Sequence, residues 1–318
     1  MSATHGTPDI SIIVCTHNRA MSLNDTLEAL AAQEVRDGLS MELVVVDNKS
    51  TDQTRDVVMA SAQASRWPVR YLFEGRTGKS HALNHGIREA QAPWLLFTDD
   101  DVIPDPSWVQ ALSDAASTHE ADGVGGRILP LWSKQPPAWL TGQRKLLESL
   151  ALIDCGPEPA MDGIHTAYRI YGANMAFRRA VFSEIGAFRT DLGPLGLRQR
   201  HGEDTEMLIR AHQAGKRLLY TPHAVVRHKV PPERMRLRYF RQLKFYQGRT
   251  AVLCGEIAPR PFPRWLVRQC GERALRSLWA YGTGRFERGV QQEMGFWEQL
   301  GMLITFMKSP PTTGARRT

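Results

Sequence analysis

The sequence is short of the features that define several protein classes. Its four cysteines, Cys15, Cys155, Cys254 and Cys270, are scattered through 318 residues with no Cys-x-x-Cys spacing. That excludes a disulfide framework or a cysteine-held zinc site as the organising feature. No run of 18 apolar residues occurs, so no helix is expected to span a bilayer. The first nine residues lack the apolar core of a signal peptide, and the expected location is cytoplasmic. There is no internal repeat and no low-complexity tract. What remains is ordinary globular composition, 42% hydrophobic and 23% charged, enough for one large domain or two.

Three consecutive carboxylates close one apolar run. Residues 94–102 read Trp-Leu-Leu-Phe-Thr-Asp-Asp-Asp-Val, so a strand-length stretch delivers Asp99, Asp100 and Asp101 at its end. Adjacent like charges repel unless a cation or water screens them. The carboxyl end of a strand is also where an open α/β sheet binds ligands. Oxygen ligands of this kind suit Mg2+ or Mn2+ shared with substrate phosphates. The plainer reading is an acidic loop after a buried strand.

Strand-like and helix-like stretches alternate around the triplet. Residues 9–15, 42–46, 69–73 and 94–98 read as strands, most of them rich in β-branched residues. Helical text follows each of them. Ser22 is placed to cap the first helix, Ser50 or Thr51 the second, residues 81–90 form the third, and Asp105-Pro106 opens the fourth. The alternation predicts a doubly wound, mostly parallel, Rossmann-like sheet. After residue 124 the pattern loosens into a Pro- and Gly-rich stretch holding Trp132 and Trp139. A short strand at 172–177, a glycine-rich loop at 186–202 and two short strands at 218–220 and 224–226 follow, the last leading to His228.

Glu203 and Asp204 form a second acidic station where a helix begins. A metal-bound diphosphate and a separate carboxylate are the equipment for moving a group off a nucleoside diphosphate, the carboxylate taking the nucleophile's proton. The plainer reading is two first-turn acids that favour the helix dipole. A competing phosphate site at Gly78-Lys79-Ser80 lacks the first glycine of a P-loop, because that position is Phe73. Two other classes stay open: a P-loop-like phosphotransferase or ATPase, and a catalytically inactive sugar-binding scaffold.

Taken in order, these stations resemble the family 2 glycosyltransferases of the GT-A fold over residues 9–230. The resemblance rests on Thr16-His17-Asn18-Arg19 after the first strand, Asp47, Ser50 and Asp52 after the second, and Ala82, Asn84 and Gly86 in the third helix. Asp99 and Asp101 stand as the family's Asp-x-Asp, Gly172, Asn174 and Ala176 as its Gly-x-Asn-x-Ala, then Glu203-Asp204 and His228. Cys15 and His17 depart from the usual proline and tyrosine. The resemblance implies an inverting, metal-dependent hexosyltransferase using a nucleotide-diphospho-sugar, a UDP-sugar for preference. Its acceptor would be a saccharide or lipid-linked saccharide in surface polysaccharide synthesis. Residues 9–101 would form the nucleotide-sugar half and 102–230 the acceptor half. Thr16, His17, Asn18, Arg19, Asp47, Arg76, Lys79, Asp99 and Asp100 would bind the donor. Asp101 and His228, with Asp99, would hold Mn2+ or Mg2+. Asp204, beside Glu203, would be the general base, and Gly172, Asn174, Trp132 and Trp139 would face the acceptor.

The net charge of +7 is unevenly spread: residues 227–288 hold 15 Lys or Arg against four Glu and no Asp. A basic helical region at 231–318 is therefore expected behind a mildly acidic body. It is either a solvated face or a docking surface. Trp265, Leu266, Leu278, Trp279 and Phe286, with the apolar stretch 297–306, favour an anionic membrane surface on the inner face of the cell membrane over nucleic acid.

Overall fold

A computed structural model describes residues 6–161, 163–193, 202–253 and 264–308. The acid triplet sits in a mixed eight-stranded sheet, ordered β3-β2-β1-β4-β7-β6-β8-β5 among the described residues. Its strands are β1 (Ile10–Thr16), β2 (Met41–Asp47), β3 (Val69–Phe73), β4 (Trp94–Asp99), β5 (Val102–Pro104), β6 (Gly123–Trp132), β7 (Asn174–Arg178) and β8 (Leu218–Val230). The helices are α1 (Ala20–Ala31), α2 (Thr54–Ala64), α3 (Lys79–Glu89), α4 (Trp108–Thr118), α5 (Ala138–Thr141), α6 (Arg144–Ser149), α7 (Ile164–Ala167), α8 (Arg179–Ile185), α9 (Glu203–Gln213), α10 (Leu237–Leu253), α11 (Arg264–Gly282) and α12 (Phe286–Lys308).

The neighbouring strands β3, β2, β1 and β4 run parallel. Every residue of β1 and β2 is buried, which is why both read as unbroken apolar runs rather than alternating ones. From β1 the chain moves first to β2 on one side, then to β4 on the other. Ligands bind at such a reversal, outside the carboxyl ends of the strands. The register brings Thr16 level with Asp47, and Cys15 level with Asp99. Three of the expected site stations therefore end in one row.

The rest of the sheet is mixed. β7 runs antiparallel between β4 and β6, and β5 antiparallel to β8. The two short strands expected at 218–220 and 224–226 are one long strand, β8. The expected caps also change. Ser22 lies inside α1, and Asp52 accepts the Ala20 N–H (3.0 Å) as well as the Thr54 N–H (3.2 Å), serving both α1 and α2. Ser50 and Thr51 do not cap α2; their backbone N–H groups bond to Asp47 and Asn18. On one face of the sheet Phe97, Phe182 and Phe188 meet with ring centroids 5.7 to 5.8 Å apart, packing worth more than its area alone.

By internal contacts the described chain divides into two compact units. The first comprises residues 6–131, 151–161, 163–193 and 203–229, the second 132–150, 202, 230–253 and 264–308. In the second, α12 lies against both α10 and α11. A Cβ on Gly248 would fall 1.8 Å from the Glu298 carbonyl oxygen, and one on Gly301 2.0 Å from that of Phe245. Only glycine lets these helices approach so closely. Trp139, on α5, packs edge-on against Phe240 of α10, centroids 5.5 Å apart. No described helix is long and apolar enough to cross a membrane.

Asn174 is a staple within the first unit. It is fully buried. Its Oδ1 accepts from Trp108 Nε1 (2.8 Å), while its Nδ2 donates to the carbonyls of Arg127 and Ala224 (2.9 Å each). These bonds join β7, β6, β8 and α4, and they leave the amide nothing with which to meet an acceptor. Asn174, expected to face the acceptor, stands in the structure as this buried tie. Because each orphaned buried polar group costs about 1–3 kcal/mol, Asn174→Ala should lower the unfolding free energy by at least about 3 kcal/mol in denaturant titration. An unchanged midpoint would mean that the staple carries no load.

Candidate functional site

Each aspartate of the triplet has its own partner. Asp99 Oδ1 accepts from Lys79 Nζ at 2.5 Å, the lysine being the first residue of α3. Asp100 is buried, with Oδ2 accepting from Thr16 Oγ1 (2.8 Å) and Oδ1 from Arg19 Nη1 (2.8 Å). The same guanidinium nitrogen lies 2.9 Å from Asp101 Oδ2. Asp101 Oδ1 is 3.3 Å from His228 Nε2. That contact follows from the β5–β8 register, which pairs Val102 with His228. Burial works against the Arg19 charge, but Asp100 and Asp101 more than offset it and hold the guanidinium above its usual range. Burial raises the Asp100 carboxyl in spite of Arg19. Both oxygens of Asp100, expected to face the donor, are thus engaged by the turn after β1.

The second acidic station lies beside the first. Asp204 Oδ2 accepts the Gly172 N–H at 3.0 Å, and Oδ1 accepts the Thr205 N–H at 2.8 Å. Glu203 is buried; burial, then Asp204, pushes its carboxyl up to about 7 against the pull of Lys79. Lys79 links the stations. A Cβ placed on Gly172 would stand 3.5 Å from Asp204 Oδ2 and 3.9 Å from Lys79 Nζ. Burial would lower the lysine, yet Asp99 and then Glu203 outweigh it and keep the ammonium charged. The segment before residue 194 is pinned to α3: Asn84 exchanges two bonds with the backbone of Phe188, and Ser80 Oγ donates to the Leu192 carbonyl. Most of the rest of the glycine-rich loop, residues 194–201, lies outside the described residues.

The turn after β1 is held by polar bonds that the sequence only half discloses. Asn18 adopts a left-handed φ of 51°, its Oδ1 accepting the Thr51 N–H at 2.7 Å. His17 Nδ1 is 2.8 Å from the Asn48 carbonyl oxygen. Asn48 is a hub that sequence reasoning missed. Its Nδ2 donates to the Arg76 carbonyl (2.7 Å) and its Oδ1 accepts the Gly78 N–H (2.8 Å), tying the loop after β3 to the end of β2. Asp47 is buried and anchored by the Ser50 N–H and the Tyr71 hydroxyl, 2.8 Å each. The Arg76 fork is engaged by Glu74, whose carboxyl its hydrogen bonds draw down to about 2. Phe73, read from the sequence only as a missing glycine, is 54% exposed and in register with Asp47 at the end of β3. An apolar side chain exposed where a strand enters a polar site is the signal that could have found it.

Five carboxyl groups thus gather around two permanent cations, Arg19 and Lys79. Among the described residues no group of three or more His, Cys, Asp or Glu side chains forms a complete metal site. The Asp101–His228 pair offers one oxygen and one nitrogen donor, and the surplus of negative charge favours a further cation. That small donor set fits an ion such as Mg2+ or Mn2+ that takes its remaining ligands from water and phosphate. Gly172 contributes its backbone N–H. Trp132 and Trp139 belong to the second unit.

A reversing α/β sheet with an acidic triplet at the central strand's end defines the GT-A class of fold. The solved mannosyltransferase PcManGT from Pyrobaculum calidifontis, in complex with GDP-Man and Mn2+, shares it with a TM-score of 0.59 at 20% identity, over 94% of this chain and 73% of that one. The family model for glycosyl transferase family 2 matches residues 11–186, and the chain belongs to that family. It is 26% identical over 243 residues to the glucosyl-dolichyl phosphate glucuronosyltransferase of Haloferax volcanii, covering 75% of each. It is 28% identical over 242 residues to the succinoglycan biosynthesis protein ExoM of Rhizobium meliloti, covering 76% of this chain and 73% of ExoM.

The position of Glu203 has a consequence for stability. A carboxyl lifted from 4.5 to about 7 in the folded state binds a proton there that the unfolded chain has already lost. Its contribution is complete below about pH 4.5 and disappears as pH rises through about 7. Glu203→Gln should therefore flatten the fall in unfolding free energy across that window and stabilise the protein most at pH 8. Parallel wild-type and variant curves would show that Glu203 is not held protonated.

Proposed function

We propose that the protein moves a sugar from a nucleoside-diphosphate sugar to a hydroxyl of a saccharide or lipid-linked saccharide, inverting the anomeric centre, in the assembly of a surface polysaccharide or glycolipid. The observation that carries this reading is that Lys79 ties the two acidic stations together within one unit: it pairs with Asp99 of the triplet and lies beside Gly172, whose N–H is bonded to Asp204. The relatives and the family membership support a glycosyl transfer. Lys79, which a P-loop enzyme needs free for phosphate, is taken by Asp99, which counts against a phosphotransferase.

In this reading the turn Thr16-His17-Asn18, with Asp47 behind it and Phe73 at its rim, receives the nucleoside, and Phe73 offers a face for the base. Arg76 closes the side of that pocket. Asp101 and His228 would hold the divalent ion, which when bound neutralises charge on the departing diphosphate. Arg19 fixes the Asp101 carboxylate so that Oδ1 faces His228. Lys79 holds Asp99 in place beside the donor. Of the two neighbouring acids, Glu203 is buried while Asp204 is partly accessible, so Asp204 is the one an acceptor can reach. The acceptor oxygen forms its bond to the anomeric carbon as the carbon–phosphate oxygen bond breaks. The hydroxyl proton passes to Asp204 and the electron pair leaves with the nucleoside diphosphate. The Gly172 N–H donated to Oδ2 orients the other oxygen for that transfer.

Two outcomes test it. Asp204→Asn should cut turnover about 100-fold or more, the usual worth of a general base, with donor affinity unchanged in calorimetry. Near-normal turnover would remove the base from Asp204. Asp101→Asn should weaken donor binding about tenfold or more in the presence of Mn2+ and abolish its sensitivity to chelator. Donor binding that is chelator-insensitive in the wild type would count against the metal. The binding screen should set UDP-sugars against GDP-sugars, because the family resemblance favours the former and the Pyrobaculum neighbour holds GDP-Man.

A further inference from the structure

We propose that the outer face of α11, together with the turn into α12, docks on an anionic lipid bilayer. α11 buries Leu266, Cys270, Ser277 and Ala280, a spacing that occupies one side of the helix. The opposite side is not the polar face that a solvated helix would carry. Trp265 is 51% exposed, Leu275 and Leu278 69% each and Trp279 53%, and Phe286 follows at 48%. Positions 275, 278 and 279 are neighbours on one turn, so the apolar surface is contiguous rather than scattered. Lone exposed apolar residues need no explanation; a patch of this kind marks a docking surface.

Charge identifies the occupant. Arg264, Arg268, Arg276, Arg285 and Arg288 are exposed around the patch. Glu287, and Glu272 paired with both Arg268 and Arg276, are the acids beside them. The guanidinium carbons of Arg285 and Arg288 lie 4.8 and 5.9 Å from the Trp279 ring centroid. An indole collared by arginines and followed by leucines matches a bilayer boundary, with headgroup phosphates above and acyl chains beneath. A second copy of the chain would set this arginine collar against itself. A polyanionic surface of lipid answers it at any register.

The surface is narrower than the sequence suggests. Leu266 was expected on it and is fully buried. The apolar stretch 297–306 of α12 was expected on it too, but Phe306 is buried in a cluster with Val252 of α10 and Leu266 of α11, against which Met302 and Leu303 pack. The inference therefore rests on α11 and the following turn, and it stands or falls independently of the glycosyl transfer.

The test is flotation of the full chain with vesicles of phosphatidylcholine containing phosphatidylglycerol, against phosphatidylcholine alone. Binding is expected to the anionic vesicles and to be released by salt. The pair Leu275→Glu and Leu278→Glu should weaken it about tenfold or more, as should Arg285→Gln with Arg288→Gln. Met59→Glu, an exposed position on α2, should bind as wild type does, and circular dichroism confirms that all variants remain folded. Equal flotation of the α11 variants, or no flotation of the wild type, overturns the proposal. A dimer in sedimentation that Leu275→Glu and Leu278→Glu dissolve would assign the patch to a second copy instead. Salt-sensitive retention of RNA without vesicle binding would assign it to nucleic acid.

Discussion

One guanidinium nitrogen, Arg19 Nη1, stands between Asp100 and Asp101 at 2.8 and 2.9 Å, and the order of the sheet's carboxyl end depends on it. Two adjacent carboxylates, both nearly buried, cannot stay ionised side by side without a cation shared between them. Taking that cation away would leave the two carboxylates facing each other with their shared partner gone, although the Arg19 side chain is 43% exposed and solvent screens part of the loss. The arginine is itself aimed by its neighbours. Asn18 turns the chain through a left-handed φ, and Asp52 caps the helix that begins at Ala20. Lys79 does for Asp99 what Arg19 does for the other two.

Within each acidic station, neighbouring residues have opposite fates. Asp100 points inward to Thr16 and Arg19, while Asp101 reaches His228. Glu203 is buried beside Gly193, while Asp204 meets the Gly172 N–H. In both pairs one acid is engaged deep in the fold and the other stands at its edge. Adjacent positions on a chain project in different directions, so a run of acids can supply both without a separate element for each. The raised Glu203 carboxyl and the charged Lys79 are products of the same crowding: desolvation disfavours charge, and whichever group has the better partner keeps it.

The parallel half of the fold was legible because β1 and β2 are buried throughout and its strands are bounded by polar turns; the half-buried edge strand, residues 69–73, was read to the residue as well. The acid stations were legible as residue types at element ends. What stayed hidden depended on distant partners. Asp52 caps α1 from 32 residues away in the chain, which no local pattern announces. Asn174 was read as an acceptor residue because its motif suggests a site; only full burial against Trp108 shows a staple. Residues 218–220 and 224–226 read as two strands, yet the residues between them, Pro222 included, continue one strand, which absorbs a proline wherever no ladder bond is needed there. α11 and α12 carry similar amphipathic text, and which one is internal is decided by Gly248 and Gly301 admitting α12 against α10.

The placement of His228 shows how far chemistry here is a matter of register. Its imidazole meets Asp101 only because β8 pairs with the three-residue β5 so that Val102 faces His228. A slip of one residue would turn the histidine to the other face of the sheet and put Arg227 or Lys229 in its place. So short a strand cannot enforce its own register. The neighbours enforce it instead. Lys229 N–H bonds to the Asp101 carbonyl at 2.9 Å and Asp105 N–H to that of Val225 at 3.0 Å. Arg227 pairs with Asp105, and the Lys229 ammonium with Asp25 of α1. The two cations flanking His228 in sequence share the face of β8 opposite its imidazole and clamp the strand from there. They fix the one residue between them against Asp101.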